Sequence, residues 1–256
     1  MLTEERYAII LEIVNRKKSV GIHELCEILD SSVSTVRRDL TFLAETGKLN
    51  KVHGGAIALD ENFILEERNV EEKAKLFTEE KLAIAKYAAN LVEDEDFIFI
   101  DAGTTTEKLI DFLPLKKIQF VTNAFIHAKK LAQKGFQVYI PGGEIKLATE
   151  AIVGVECVMT LKNYNFTKCF IGTNGISVSA GFSTPDVNEG KVKSAVIDGS
   201  IVAYVLADHS KFDRVTSVTF AQLNRATIIT DAVPDKRYRN YASVKEVMRN
   251  DLHSNL

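Results

Sequence analysis

The sequence predicts an α/β protein in two parts: a small helical module closed by a short hairpin, then a larger, mainly parallel sheet wrapped by helices. Three observations carry this. Residues 3–45 hold three runs of apolar residues at helical spacing. Residues 49–57 alternate around Gly54-Gly55, as a small hairpin would. From Phe97 onward, short and almost continuously apolar runs alternate with helical patterns.

The first helix is predicted from Thr3 to about Arg16, on Ile9, Ile10, Ile13 and Val14. Ser19-Val20 is a short extended piece, and Gly21 is the N-cap of a helix over Ile22–Leu29. Asp30-Ser31 then breaks the chain. Ser32 caps a third helix, because its hydroxyl can accept from an orphan amide of the first turn, and Val33, Val36, Leu40 and Leu43 form the buried stripe. Ser34, Thr35, Arg37 and Arg38 fall off that stripe. They are the residue types that reach phosphates and guanine edges in a major groove.

A short turn between two brief helices, the second carrying outward arginines, is the helix-turn-helix arrangement. The Gly54-Gly55 hairpin then supplies a wing beside the groove, with Lys51 and His53 on it. An Arg-Arg pair on one amphipathic helix is common, so the order of three helices and a wing decides the reading. Residues 1–59 carry eight basic and eight acidic side chains, so a positive face has to arise by clustering. Arg37, Arg38, Lys48, Lys51 and His53 supply it in the second half of the module. The expected partner is double-stranded operator DNA, contacted by Ser32, Ser34, Thr35, Arg37, Arg38, Lys51 and His53.

At 256 residues and 46% hydrophobic content, the chain can bury a full core and is long enough for two domains. The net charge of −3 excludes a generally basic nucleic-acid coat and confines any DNA contact to a patch. Cys26, Cys157 and Cys169 are odd in number and share no Cys-x-x-Cys spacing, which predicts reduced thiols in a reducing compartment. The start has no basic flank, and no apolar run approaches about 20 residues, so the expectation is a cytoplasmic protein with no membrane partner. His23, His53, His127, His209 and His253 are scattered singly, and no metal or cofactor is expected. Residues 60–75 are charged and aperiodic. The predicted division is a DNA-binding domain over 1–59, a linker over 60–75 and a second domain over 76–256.

In the second domain, strands are predicted over 97–101, 119–123, 137–141, 169–173, 201–208 and 226–231. Continuously apolar runs are strands buried on both faces, and ligands of such sheets bind beyond the strand ends. Asp101-Ala102-Gly103-Thr104-Thr105-Thr106 is the sharpest end: a strand, a glycine turn, then three hydroxyls at a helix N-terminus. Free amides and the helix dipole make such a turn a phosphate cradle, although Thr104 could equally be a plain cap. Thr122-Asn123, Pro141-Gly142-Gly143, Gly172-Thr173-Asn174-Gly175 and Asp208-His209-Ser210-Lys211 close four further strands. Their convergence predicts a pocket.

Ser32 to Leu40 and the following His53-Gly54-Gly55-Ala56 resemble the DeoR-type bacterial transcriptional repressors. The sequence departs from that family at Ser31, where an apolar residue is usual, and at Lys51, where arginine is usual. Met1-Leu2-Thr3-Glu4-Glu5-Arg6 and Leu29-Asp30-Ser31-Ser32 look most similar to the fructose-operon and lactose phosphotransferase-system repressors. The second half resembles the DeoR-type sensor domain, whose fold is shared with ribose-5-phosphate isomerase and glucosamine-6-phosphate deaminase. That resemblance implies that Gly103, Thr104, Thr105 and Thr106 hold a phosphate, and that Asp101, Asn123, Gly143, Lys193, Asp208 and Lys211 line the sugar side. It also implies a homo-oligomeric repressor of a sugar-utilisation operon, relieved by a phosphorylated sugar such as fructose 1-phosphate. The competing reading is a sugar-phosphate isomerase, which needs a carboxylate base. Where isomerases carry Arg-Glu-Lys and Asp-Gly-Ala-Asp, this chain is read as Lys191-Val192-Lys193 and Gly172-Thr173-Asn174-Gly175; neither Val192 nor Asn174 is a base, which leaves Asp101, Asp186, Glu189 and Asp208 as the carboxylates such a reading would need.

Overall fold

A computed structural model describes residues 3–17, 19–46, 48–52, 54–58, 63–64 and 69–247. The chain divides into two compact units, Met1–Glu61 and Asn62–Leu256.

The first unit runs α1 (Thr3–Lys17), β1 (Ser19–Gly21), α2 (Ile22–Leu29), α3 (Val33–Glu45), β2 (Leu49–Val52) and β3 (Gly55–Ala58). The strands form an antiparallel sheet in the order β1-β3-β2. Helical spacing puts Ile10, Val14, Leu25, Val36, Leu40 and Leu43 into one core. Asp30 closes α2 in the left-handed conformation, which Asp tolerates better than most residues. Gly55 is required by close approach, since a β-carbon there would lie 2.1 Å from the Val20 carbonyl oxygen. A paired charge, Arg6 with Asp39, ties α1 to α3; its second bond, from Nη2 to Oδ1, is 3.0 Å long.

The second unit begins with β4 (Phe63–Ile64), α4 (Val70–Lys75), α5 (Thr78–Ala89), β5 (Phe97–Ile100), α6 (Thr104–Phe112), β6 (Gln119–Thr122), α7 (Phe125–Gln133) and β7 (Gln137–Tyr139). A hairpin, β8 (Glu144–Lys146) and β9 (Ala151–Val153), precedes α8 (Val155–Leu161), β10 (Phe166–Gly172), β11 (Gly175–Ser177), β12 (Gly181–Thr184) and α9 (Val187–Asp198). The chain continues through β13 (Ser200–Leu206), β14 (Val215–Thr216), β15 (Val218–Ala221), β16 (Thr227–Thr230) and β17 (Val244–Glu246).

Seven strands form the main sheet in the order β17-β16-β13-β10-β5-β6-β7, and every pairing in it is parallel. Six of the seven are the predicted apolar runs. The seventh, Val244-Lys245-Glu246, is too short and too charged to show a period. One face packs against α8 and α9 through Leu161, Val192 and Val196, the other against α5 and α6 through Ile84, Ala88, Leu109 and Ile110. From β5 the chain builds outward through β6 and β7, then returns to add β10, β13, β16 and β17 on the other side. The boundary between β5 and β10 is therefore a topological switch point, where a crevice opens beyond the strand ends.

The charged stretch expected as a linker contains local structure. Asn69 caps α4 by accepting from the Glu72 amide at 2.9 Å, and the Val70 amide donates to the Ala148 carbonyl at 3.2 Å. No α4 residue is buried, which is why the segment shows no apolar period.

Candidate functional site

In the first unit, α3 presents the predicted reading face. The Ser32 hydroxyl accepts from the Thr35 amide at 3.3 Å and lies 2.9 Å from the Ser34 hydroxyl and 3.0 Å from that of Thr35. Ser34, Arg37 and Arg38 are exposed and Thr35 is half-buried. Neither arginine makes an ion pair among the described residues, so both charges face outward unneutralised. Lys51, on β2, is also exposed, and its ammonium donates to the Thr41 hydroxyl at 2.7 Å. That bond holds the wing against α3, a role the sequence does not reveal. His53 lies outside the described residues.

In the second unit, a cavity of about 340 Å³ opens at the switch point. Gly103, Thr104, Thr105 and Thr106 line it at the N-terminus of α6, where first-turn amides have no intrahelical acceptor. The three hydroxyls differ. Thr106 is spent on the turn, donating to the carbonyls of Asp101 at 2.7 Å and Gly103 at 2.9 Å. Thr104 and Thr105 are buried in the cavity wall with no side-chain hydrogen bond among the described residues.

Lys193, Asp208 and Lys211 also line the cavity. Asp101 does not: it sits beneath the wall, accepting from the Lys193 ammonium and from the Gly172 amide at 2.9 Å. Burial pushes its carboxyl up from the ordinary carboxylate range, opposed by Lys193 and that amide. Asn123 and Gly143, expected on the sugar side, are placed elsewhere. Asn123 is buried and bonded to backbone, accepting from the Ala102 amide at 2.9 Å and donating to the Ile152 carbonyl at 3.3 Å. It therefore fixes the Ala102-Gly103 turn to β9. Gly143 has a φ of +146° and packs its backbone against β9, where a β-carbon would meet the Val153 carbonyl at 2.4 Å.

The cavity has further walls that the sequence reading missed, Lys73, Leu76, Phe77 and Lys81 from α4, α5 and the turn between them, with Arg214, and it includes Glu189, which starts α9 beside it. Lys81 looks like one more solvated charge in Glu79-Glu80-Lys81, yet it is 3% exposed. Its ammonium donates to the Lys73 carbonyl. Burial, with Lys211, Lys108 and Lys73 nearby, pulls its pKa down to about 8, while Asp208 acts in the opposite direction. Glu189, one of the two carboxylates lining the cavity, has both oxygens engaged. Oε1 accepts from the Thr149 hydroxyl at 2.5 Å and pairs with Lys146 at 3.0 Å; Oε2 accepts from the Thr184 hydroxyl at 3.2 Å.

Comparison with known proteins matches both units. Residues 6–62 match the DeoR-like helix-turn-helix domain, and residues 76–232 match the DeoR C terminal sensor domain. The HTH-type transcriptional regulator FruR of Bacillus subtilis (strain 168) is 42% identical over 94% of this chain and 96% of that protein. A lactose phosphotransferase system repressor of Staphylococcus aureus (strain NCTC 8325 / PS 47) is 34% identical over 97% of this chain and 100% of that one. Among solved structures, ribose 5 phosphate isomerase A from Neisseria gonorrhoeae aligns over 52% of each chain at 19% identity, with a TM-score of 0.38. With an outward-facing α3 in one unit, a strand-end cavity in the other, and regulators matching nearly end to end, the chain belongs to the DeoR family of helix-turn-helix transcriptional regulators.

Proposed function

We propose that the protein represses a sugar-utilisation operon, and that a phosphorylated sugar entering the cavity releases it from operator DNA. The observation that carries this reading is the cavity itself, where an α6 N-terminus with two uncommitted threonine hydroxyls faces Lys211, Lys193 and Arg214 in a chain that also carries a reading helix. The amides of the Gly103–Thr106 turn, the hydroxyls of Thr104 and Thr105, and Lys211 hold the phosphate. Lys193 and Asp208 face the sugar, Asp101 and Asn123 position the turn from beneath, and Gly143 supports the β8-β9 hairpin. On DNA, Arg37 and Arg38 read bases, Ser32, Ser34 and Thr35 contact phosphate at the start of α3, and Lys51 and His53 touch backbone from the wing.

The functional division is a DNA reader over 1–59, a connector over 60–75 and a sensor over 76–256. The end of the connector, α4, supplies Lys73 to the cavity wall, so ligand contact and connector share residues. A homo-oligomer fits this scheme, because exposed Ile145, Leu147, Val155 and Met159 give the sensor apolar surface for a second copy. An operator-binding role fits a cytoplasmic protein; no helix among the described residues is long and apolar enough to cross a membrane.

The test is a gel-shift titration of operator DNA with fructose 1-phosphate, tagatose 6-phosphate and ribose 5-phosphate in turn. Release by one of them at micromolar to millimolar concentration is the expected result. Operator binding that none of them alters would refute the sensor assignment.

A further inference from the structure

Asp208 has an unbalanced environment. It is 1% exposed, and its Oδ1 accepts from the Ser210 amide at 3.0 Å and from the Ser210 hydroxyl, whereas its Oδ2 has no hydrogen-bond partner among the described residues. A buried carboxylate oxygen left without a donor costs more than the bond it lacks would return, so a site that keeps one has a use for it. Lys81 is its counterpart. The ammonium carries three donors and, among the described residues, uses one, on the Lys73 carbonyl. Asp208 is the carboxylate whose field acts on Lys81, yet the two make no direct ion pair. Both residues line the same cavity.

We infer that Asp208 and Lys81 together read one sugar hydroxyl, whose oxygen accepts from Lys81 and whose proton is donated to Oδ2 of Asp208. A hydroxyl is the group that both accepts and donates through one atom, which is what a carboxylate and an ammonium facing one space require. An amino group at the same position would be an ammonium, adding a third cation beside Lys81 and Lys211. The ligand class is therefore a sugar phosphate whose sugar part is uncharged, neither deoxygenated nor aminated at the position read. The inference rests on the sugar-phosphate reading of the cavity and specifies it further.

The carboxylate is held rigidly enough to discriminate. Behind it, the His209 amide donates to Asp231 at 2.8 Å and the His209 Nδ1 lies 2.7 Å from the same carboxylate. The Phe77 ring meets His209 edge-on at 5.0 Å. The Ser210 bonds fix the other oxygen. A pair locked in this way cannot swing to satisfy itself when the hydroxyl is missing, and unpaired groups in the site are what give hydroxyl recognition its selectivity.

Calorimetric titration of the full-length protein tests this. Fructose 1-phosphate, fructose 6-phosphate, tagatose 6-phosphate and ribose 5-phosphate are compared first, and then singly deoxygenated derivatives of the tightest binder. One deoxy derivative is expected to lose about 10–100-fold in affinity, the range for a hydrogen bond to a charged group. Asp208→Asn keeps an oxygen for Ser210 and puts a donor where Oδ2 was, so it should bind that derivative and its parent within about threefold of each other. Should the Asn variant melt well below the wild type without ligand, Lys81→Gln carries the same comparison from the other side of the hydroxyl. Equal binding of all deoxy derivatives by the wild type, or undiminished discrimination in the folded variant, overturns the inference while leaving the sensor reading intact. No binding of any of the four sugars would overturn both.

Discussion

Lys81 makes ligand binding depend on pH in a direction that can be worked out in advance. Its folded-state pKa, about 8 without ligand, lies below the ordinary value of 10.5 because burial disfavours the ammonium. A phosphorylated ligand is close to a dianion above pH 7, so its entry favours the charged form of Lys81. Binding then takes up a proton wherever the empty site has lost one. With a pKa near 8, about 90% of sites are charged at pH 7 and about 10% at pH 9, so affinity should fall roughly tenfold between those pH values. The stability of the empty protein should move the other way. The unfolded chain holds the Lys81 proton up to about 10.5, and the folded chain releases it near 8, so this group adds stability as pH rises across that window. Calorimetric titrations from pH 6.5 to 9.5, with thermal melts of the empty protein alongside, read both trends. Lys81→Met should bind more weakly at pH 7 and lose the pH slope. A flat wild-type affinity, or an equal slope in Lys81→Met, would refute the assignment of Lys81 to the ligand site.

Three further outcomes are expected. Thr105→Val removes an uncommitted hydroxyl at nearly constant volume and should weaken sugar-phosphate release of the operator about 10–100-fold, while ligand-free operator binding stays normal in gel shifts. Thr106→Val should instead lower the melting temperature, because that hydroxyl is spent on the turn. On DNA, Arg37→Ala or Arg38→Ala should each cost about 1–3 kcal/mol and relax specificity at one base pair; unchanged operator affinity in the double variant would remove α3 from the groove. Asp39→Ala leaves Arg6 without its partner on α3 and should lower the melting temperature of the first unit, seen as loss of its helical signal on heating before any change in ligand binding.

Where side chains repeat with the period of their element, the sequence was readable without the structure. The helical stripes of residues 3–43 and the continuously apolar runs of the parallel sheet are both direct consequences of burial on a regular backbone, so the elements and their class followed from spacing alone. The Gly103–Thr106 turn was readable for a related reason: a glycine turn into a helix start is made of consecutive residues. In contrast, β8, β9, β11, β12 and β17 are three or four residues long, too short to repeat a period.

What only the tertiary structure decided was which of the remaining polar residues share a cavity and which are already spoken for. Lys81 sits in a charged stretch that reads as a solvated helix start, and packing of α5 over the strand ends buries it. Arg214 and Lys73 come to the same wall from segments far apart in the chain. Conversely, Asn123 and Gly143 stand at strand ends as ligand residues would, but their bonds and close contacts go to backbone. Local sequence sets the conformation a residue adopts, because that depends on its near neighbours. Its electrostatic surroundings and free hydrogen-bonding capacity depend on groups brought together through space, and those the fold alone assigns.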